Sequence, residues 1–124
     1  MSIADNLKIC YANNNYMVKH FTDDNWQTEV IEASQTKPVL VDFFAVWCGP
    51  CKMQAPIIEE VDEALGEQAV VGAVNTEEAA KVAEEYGIMS IPTLMIFRQG
   101  QPVKTYVGVQ PREILVADLR AAVA

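Results

Sequence analysis

Residues 39 to 51 read Val39, Leu40, Val41, Asp42, Phe43, Phe44, Ala45, Val46, Trp47, Cys48, Gly49, Pro50, Cys51. The near-continuous apolar run from Val39 to Val46, preceded by Pro38, predicts a strand covered on both faces, as central strands of α/β sheets are. Pro50 suits the first turn of a helix, where its missing N–H would have had no partner anyway. The two cysteines therefore stand where a buried strand hands over to a helix. At such a junction unpaired amides and the positive end of the helix dipole favour an anion, which stabilises the Cys48 thiolate over the thiol. Cys51 lies one turn further on and on the same side, close enough to displace Cys48 from a mixed disulfide. The pair reads as a reversible two-electron switch, with Cys48 the more exposed and more reactive thiol.

Outward from this junction the pattern stays regular. Downstream, Ile57, Val61 and Leu65 form the apolar stripe of the helix, Pro56 lies inside it as an expected kink, and Gly66 ends it. Ala69 to Val74 predicts a second buried strand, and Thr76 starts a helix that faces Ala79, Val82, Ala83 and Tyr86 inward before Gly87. Thr93 to Phe97 and Val103 to Val107 flank Arg98 to Pro102 as an antiparallel hairpin. Pro111 opens a last helix carrying Leu115, Leu119 and Ala122. Upstream, Met17 to Phe21 predicts a short strand, and Thr22 caps a helix whose Trp26, Val30 and Ala33 recur at helical spacing. The order βαβαβα followed by ββα calls for an α/β fold, a central mixed sheet with helices on both faces.

Composition bounds the function. A chain of 124 residues is about one domain. Its 51% hydrophobic residues suffice for a core without disulfide staples. The net charge of −8 repels phosphate backbones and anionic headgroups, which argues against nucleic-acid and membrane-surface binding. The start MSIADNLK lacks the basic and apolar segments of a secretory signal, and the apolar run from Phe43 to Cys48 is far short of a membrane span. The chain reads as soluble and cytoplasmic. Residues 1–15, ending in Asn13, Asn14 and Asn15, read as an extension to a domain over 16–124. Three cysteines cannot all pair within a monomer, so at least one thiol stays free.

A CxxC spacing alone also fits half of a structural zinc site. Such a site needs four ligands, and beyond Cys10, His20 and acidic residues the chain offers no second CxxC and no paired histidines. The strand-to-helix context favours redox chemistry, with no metal.

The motif WCGPCKM, then YGIMSIPT, then Gly108, in this order over about Tyr16 to Ala124, resembles the thioredoxin family. The resemblance implies a thioredoxin-like fold and a protein-disulfide reductase needing no bound cofactor, monomeric, and recharged by a reductase-type electron donor. It implies that Cys48 attacks a target disulfide and Cys51 resolves it, with Trp47, Gly49 and Pro50 shaping the contact surface. Pro92 matches the proline that follows a cis bond facing the cysteines. Proline is the one residue that adopts cis cheaply, and the arrangement leaves Ile91 free to pair with an extended substrate. The bland alternative is that Pro92 starts a strand.

Asp42 is a charge in the middle of the buried strand, which is costly without a partner or a task. The resemblance gives it proton transfer behind Cys51, and burial without a nearby cation predicts a raised pKa. The alternative is a carboxylate pointing to solvent. The chain departs from similar proteins at Phe44 and Ala73, where Trp and Lys are frequent. Cys10 reads as an inert or exposed thiol and His20 as a partly exposed strand residue. Met53, Met89 and Trp26 read as packing residues, and Glu59, Glu60, Glu84 and Glu85 as solvated helix faces. Two rival readings remain, a thioredoxin-fold binding or assembly subunit and a redox sensor using Cys10.

Overall fold

The computed structural model describes residues 16–123. The expected extension over 1–15, with Cys10, lies outside them. Among the described residues one mixed sheet contains β1 (Lys19–Phe21), β2 (Val39–Phe44), β3 (Val70–Asn75), β4 (Thr93–Arg98) and β5 (Gln101–Val107), in the order β1-β3-β2-β4-β5. β1 and β2 both run parallel to β3, while β4 is antiparallel to β2 and β5 to β4. The helices are α1 (Gly49–Leu65), α2 (Ala80–Glu85) and α3 (Arg112–Ala122).

Every residue of β2 is buried, because both faces are covered. Side chains alternate across a strand. Leu40 and Phe44 pack with Ile58, Val61 and Leu65 of α1 and with Leu115 and Leu119 of α3. Val39, Val41 and Phe43 pack on the opposite face with Trp26, Val30, Ala79 and Val82. Asp42, in phase with Leu40 and Phe44, belongs to the α1 and α3 side.

The elements appear in the expected order, with local differences. Thr22 does not cap the helix: its Oγ1 accepts the Asn25 amide at 3.2 Å while Asn25 Oδ1 accepts the Thr22 amide at 2.7 Å, which closes a turn ahead of the helix, and the N-cap itself is Trp26. The segment that follows is a π-helical turn, Gln27–Glu32, tightening to a 3-10 turn, Ala33–Gln35. This brings buried Ser34 beneath the β4–β5 hairpin, where its carbonyl accepts Gln99 N–H and its Oγ accepts Gly100 N–H, both at 2.8 Å.

The hairpin is tighter than the expected five-residue loop. Gln99 and Gly100 form a two-residue turn with φ of 52° and 80°, the pairing of positive angles that matches the twist of the flanking strands. Pro102 sits inside β5 beside a register shift, tolerable because β5 is an edge strand.

α1 runs through Pro56 uninterrupted, and its buried face is Cys51, Gln54, Ala55, Ile58, Val61 and Leu65. Ile58, in phase with Cys51 and Leu65, is buried outright, and the expected Ile57 packs half-buried against the same core. α2 starts later than Thr76, because Asn75 holds a turn by accepting the Glu77 amide on Oδ1 at 2.9 Å. Met53 and Met89, expected to pack, are 66% and 95% exposed.

Candidate active site

Cys48 is the N-cap of α1, extended at φ −84° and ψ 116°, with Pro50 in the first turn behind it. It forms a disulfide with Cys51 across a Cα–Cα distance of 5.3 Å. The Cys51 amide also donates to Cys48 Sγ at 3.2 Å. This is one of the amides that a helix start leaves without a backbone partner, and it is aimed at the Cys48 sulfur. The expected difference in exposure is absent in the disulfide, Cys48 being 4% and Cys51 3% exposed. Cys48 is covered by the neighbouring loop, whose Ile91 carbonyl lies 3.8 Å from its sulfur. The inequality of the two sulfurs lies in their partners: only Cys48 meets both the helix amide and the loop.

That loop carries a cis peptide bond between Ile91 and Pro92. Pro92 is buried and Ile91 half-buried. The Pro92 carbonyl accepts the Gly108 N–H at 2.9 Å, which ties the end of β5 to the loop beside Cys48. Gly108 has φ of 92°, a backbone angle that a side chain resists. Gln54, one turn beyond Cys51 and fully buried, accepts the Gln110 N–H on Oε1 at 2.7 Å and donates Nε2 to the Gln110 carbonyl at 3.1 Å. Hydrogen bonds thus link α1, the Ile91–Pro92 loop beside Cys48 and the segment that follows β5, and Gln54 and Gln110 were not legible as part of the arrangement. Their only sequence signal is an amide in phase with the apolar face of α1.

Around the disulfide, Trp47 is 66% exposed, Gly49 and Pro50 are exposed, and Met89 and Val107 stand out beyond the loop. Polar chemistry is set deeper. Asp42 is fully buried. Its sheet neighbours are Ala73 and Leu94, and Tyr16 Oη donates to its Oδ2 at 2.6 Å. Burial pushes the carboxyl up to about 7, with the Tyr16 hydrogen bond pulling it down. The same burial and the facing carboxylates raise Tyr16 well above the ordinary phenol range. Among the described residues no group of three His, Cys, Asp or Glu could hold a metal, and no helix is long and apolar enough to cross a membrane.

A dithiol that closes reversibly at a helix start, opposite a cis proline on a mixed α/β sheet, defines a thiol-disulfide oxidoreductase of thioredoxin-like fold. Comparison with known proteins agrees. The Thioredoxin family profile matches residues 17–121. Thioredoxin 1 of Synechococcus elongatus is 51% identical over 98 residues, which is 79% of this chain and 90% of that protein. A thioredoxin of Alicyclobacillus acidocaldarius is 48% identical over 98 residues, with the same coverage. One of Rickettsia prowazekii is 44% identical over 100 residues, covering 81% of this chain and 93% of that protein. The chain belongs to the thioredoxin family and is a protein-disulfide reductase working through the Cys48 and Cys51 dithiol.

Proposed function

We propose that the protein reduces disulfides of other proteins in the cytoplasm, as a monomer, with electrons returned to it by an external reductase. The observation that supports this is the disulfide at the N-terminus of a 17-residue helix, with Cys48 Sγ 3.8 Å from the Ile91 carbonyl. In the reduced protein the Cys48 thiolate attacks one sulfur of a target disulfide, and the other target sulfur leaves as a thiolate and takes up a proton. Cys51 gives its proton to Asp42 and attacks Cys48 Sγ. The bond to the target breaks, the second target sulfur leaves with the electron pair, and the internal disulfide forms. No bound cofactor takes part.

Trp47, Gly49, Pro50, Ile91, Pro92 and Gly108 form the face that receives the target, with the Ile91 backbone open to an extended segment. A buried carboxyl near neutrality suits Asp42 as the base, since a group with a pKa close to working pH both accepts and returns a proton. The test is turnover of a model protein disulfide with a recycling reductase, comparing the intact chain with Cys48→Ser. Steady turnover by the parent and none by Cys48→Ser is expected, and an inactive parent overturns the reading. Sedimentation velocity checks the monomer, and cell fractionation the compartment.

A further inference from the structure

Tyr16 precedes β1, and its ring is fully buried, edge-on to Phe44 at 5.3 Å and to His20 at 6.1 Å. Its hydroxyl donates to Asp42 Oδ2 at 2.6 Å, while the buried Oδ1 has no hydrogen-bond partner among the described residues. The two oxygens of the carboxylate are therefore unequal. Around the pair, β3 contributes Ala73 and β4 Leu94, neither of which titrates, and α3 contributes apolar Leu115 and Leu119. α1 carries Cys51 on this side of the sheet, together with Glu59 and Asp62, whose charges act on Tyr16. His20 of β1 bonds through Nε2 to the Tyr16 carbonyl at 3.1 Å. No lysine or arginine stands beside Asp42 in the sheet, because the position opposite it on β3 is Ala73.

We propose that Tyr16 is a positioning residue for proton transfer: by donating to Oδ2 it orients the Asp42 carboxylate and leaves Oδ1 as the atom that takes the Cys51 proton. The inference rests on Asp42 being the base for Cys51. In the mixed disulfide the Cys51 S–H bond breaks and its proton moves to Oδ1. The electron pair left on sulfur forms the bond to Cys48 Sγ, and the Cys48–target bond breaks with its pair on the target sulfur. Tyr16 keeps its own proton throughout, as a buried phenol facing carboxylates must. A neutral donor favours the carboxylate over the acid without placing a second charge in the core, a task that a cation would perform at greater desolvation cost.

The test is the pH dependence of single-turnover reduction of a model protein disulfide by the parent, Tyr16→Phe, Asp42→Asn and the double variant. Phenylalanine keeps the ring packing and removes only the donor. The Asp42-dependent limb of the profile should move to higher pH in Tyr16→Phe, by about one unit, the size of effect that one hydrogen bond to a buried carboxylate exerts. It should vanish in Asp42→Asn, and the double variant should match Asp42→Asn alone. A limb at the parental pH in Tyr16→Phe overturns the proposal, whatever the change in melting temperature, because a purely structural tyrosine would alter stability and leave the profile in place. A parental limb in Asp42→Asn overturns instead the reading of Asp42 as the base. Carboxyl NMR of the oxidised protein reads the same pair without turnover. Asp42 should titrate higher in Tyr16→Phe, and an unmoved titration also counts against the proposal.

Discussion

Gln54 and Gln110 exchange two hydrogen bonds, amide N–H to Oε1 at 2.7 Å and Nε2 to carbonyl at 3.1 Å, joining the cysteine helix to the segment that follows Gly108. A buried side chain here substitutes for a backbone ladder, satisfying both polar groups of one residue where no strand is available to do so. Because Gly108 is in turn bonded to Pro92, the clamp connects the helix bearing the cysteines to the loop facing them.

Gln54→Leu keeps the volume and removes the clamp, leaving the Gln110 N–H and carbonyl without it. The expected cost is about 1 kcal/mol of stability per hydrogen bond lost, since Gln110 is half-buried and water can reach its freed groups. Amide exchange should quicken at Gly108 and Gln110, and KM for a protein substrate should rise more than kcat falls. Unchanged exchange at these two amides would show that the clamp does not hold the segment.

Asp42→Asn tests the buried carboxyl through stability. The folded pKa of about 7 lies above the unfolded value of 3.8, so the folded state binds more protons in that window. The favourable contribution is complete below 3.8, and it is lost as pH rises through about 7. At pH 8 Asp42→Asn should be more stable than the parent by roughly 1 to 3 kcal/mol, given about 1.4 kcal/mol per pKa unit less the hydrogen bonds its amide fails to make. At pH 3.5 the advantage should disappear. Denaturant melts at the two pH values measure this, and an equal stability at pH 8 would refute it.

The two cysteines should part company in the reduced protein, although both are covered in the disulfide. Cys48 keeps the Cys51 amide and the start of the helix, so iodoacetamide at neutral pH should label Cys48 first, as mass spectrometry of the modified peptide will show. Cys51→Ser should accumulate a mixed disulfide with a target protein, visible on non-reducing gels, because the resolving attack is gone. Faster labelling of Cys51 would reverse the roles.

Trp47, 66% exposed beside Cys48, has no core to support. Trp47→Ala should therefore leave the melting temperature within a few degrees of the parent, as surface substitutions do. Reduction of a protein disulfide should lose several-fold in kcat/KM, whereas reduction of a small-molecule disulfide should be nearly unaffected. A large drop in melting temperature would overturn this and give Trp47 a structural role.

The succession of elements was readable from local signals, since proline, glycine and apolar periodicity act within a few residues of where they stand. Val39 to Val46 predicted a strand buried on both faces, and Pro50 a helix start, because each depends on the chain's own period and dihedral limits. The chemistry of Cys48 and Cys51 was readable for the same reason: three residues of separation at a helix N-terminus bring two sulfurs together with no help from the rest of the fold. Helix phase depends on where the sheet lies, which is why Ile58 is buried outright while Ile57 is half-buried at the edge of the same face. Met89 looked apolar enough to pack, yet its loop projects it into solvent beside the site.

What only the tertiary structure decided are the pairings between residues distant in the chain: Tyr16 with Asp42, Gln54 with Gln110, and Pro92 with Gly108. The sequence by itself marked Asp42 as a charge in an apolar strand and so as a residue in need of a partner. It could not say which, because the partner is chosen by the strand order β1-β3-β2-β4-β5, which puts Ala73 and Leu94 beside Asp42 and leaves Tyr16 to reach it from before β1. Hydrogen bonding across 26 residues of chain has no local period to announce it. It arises only once burial has excluded the water that would otherwise serve the same oxygen.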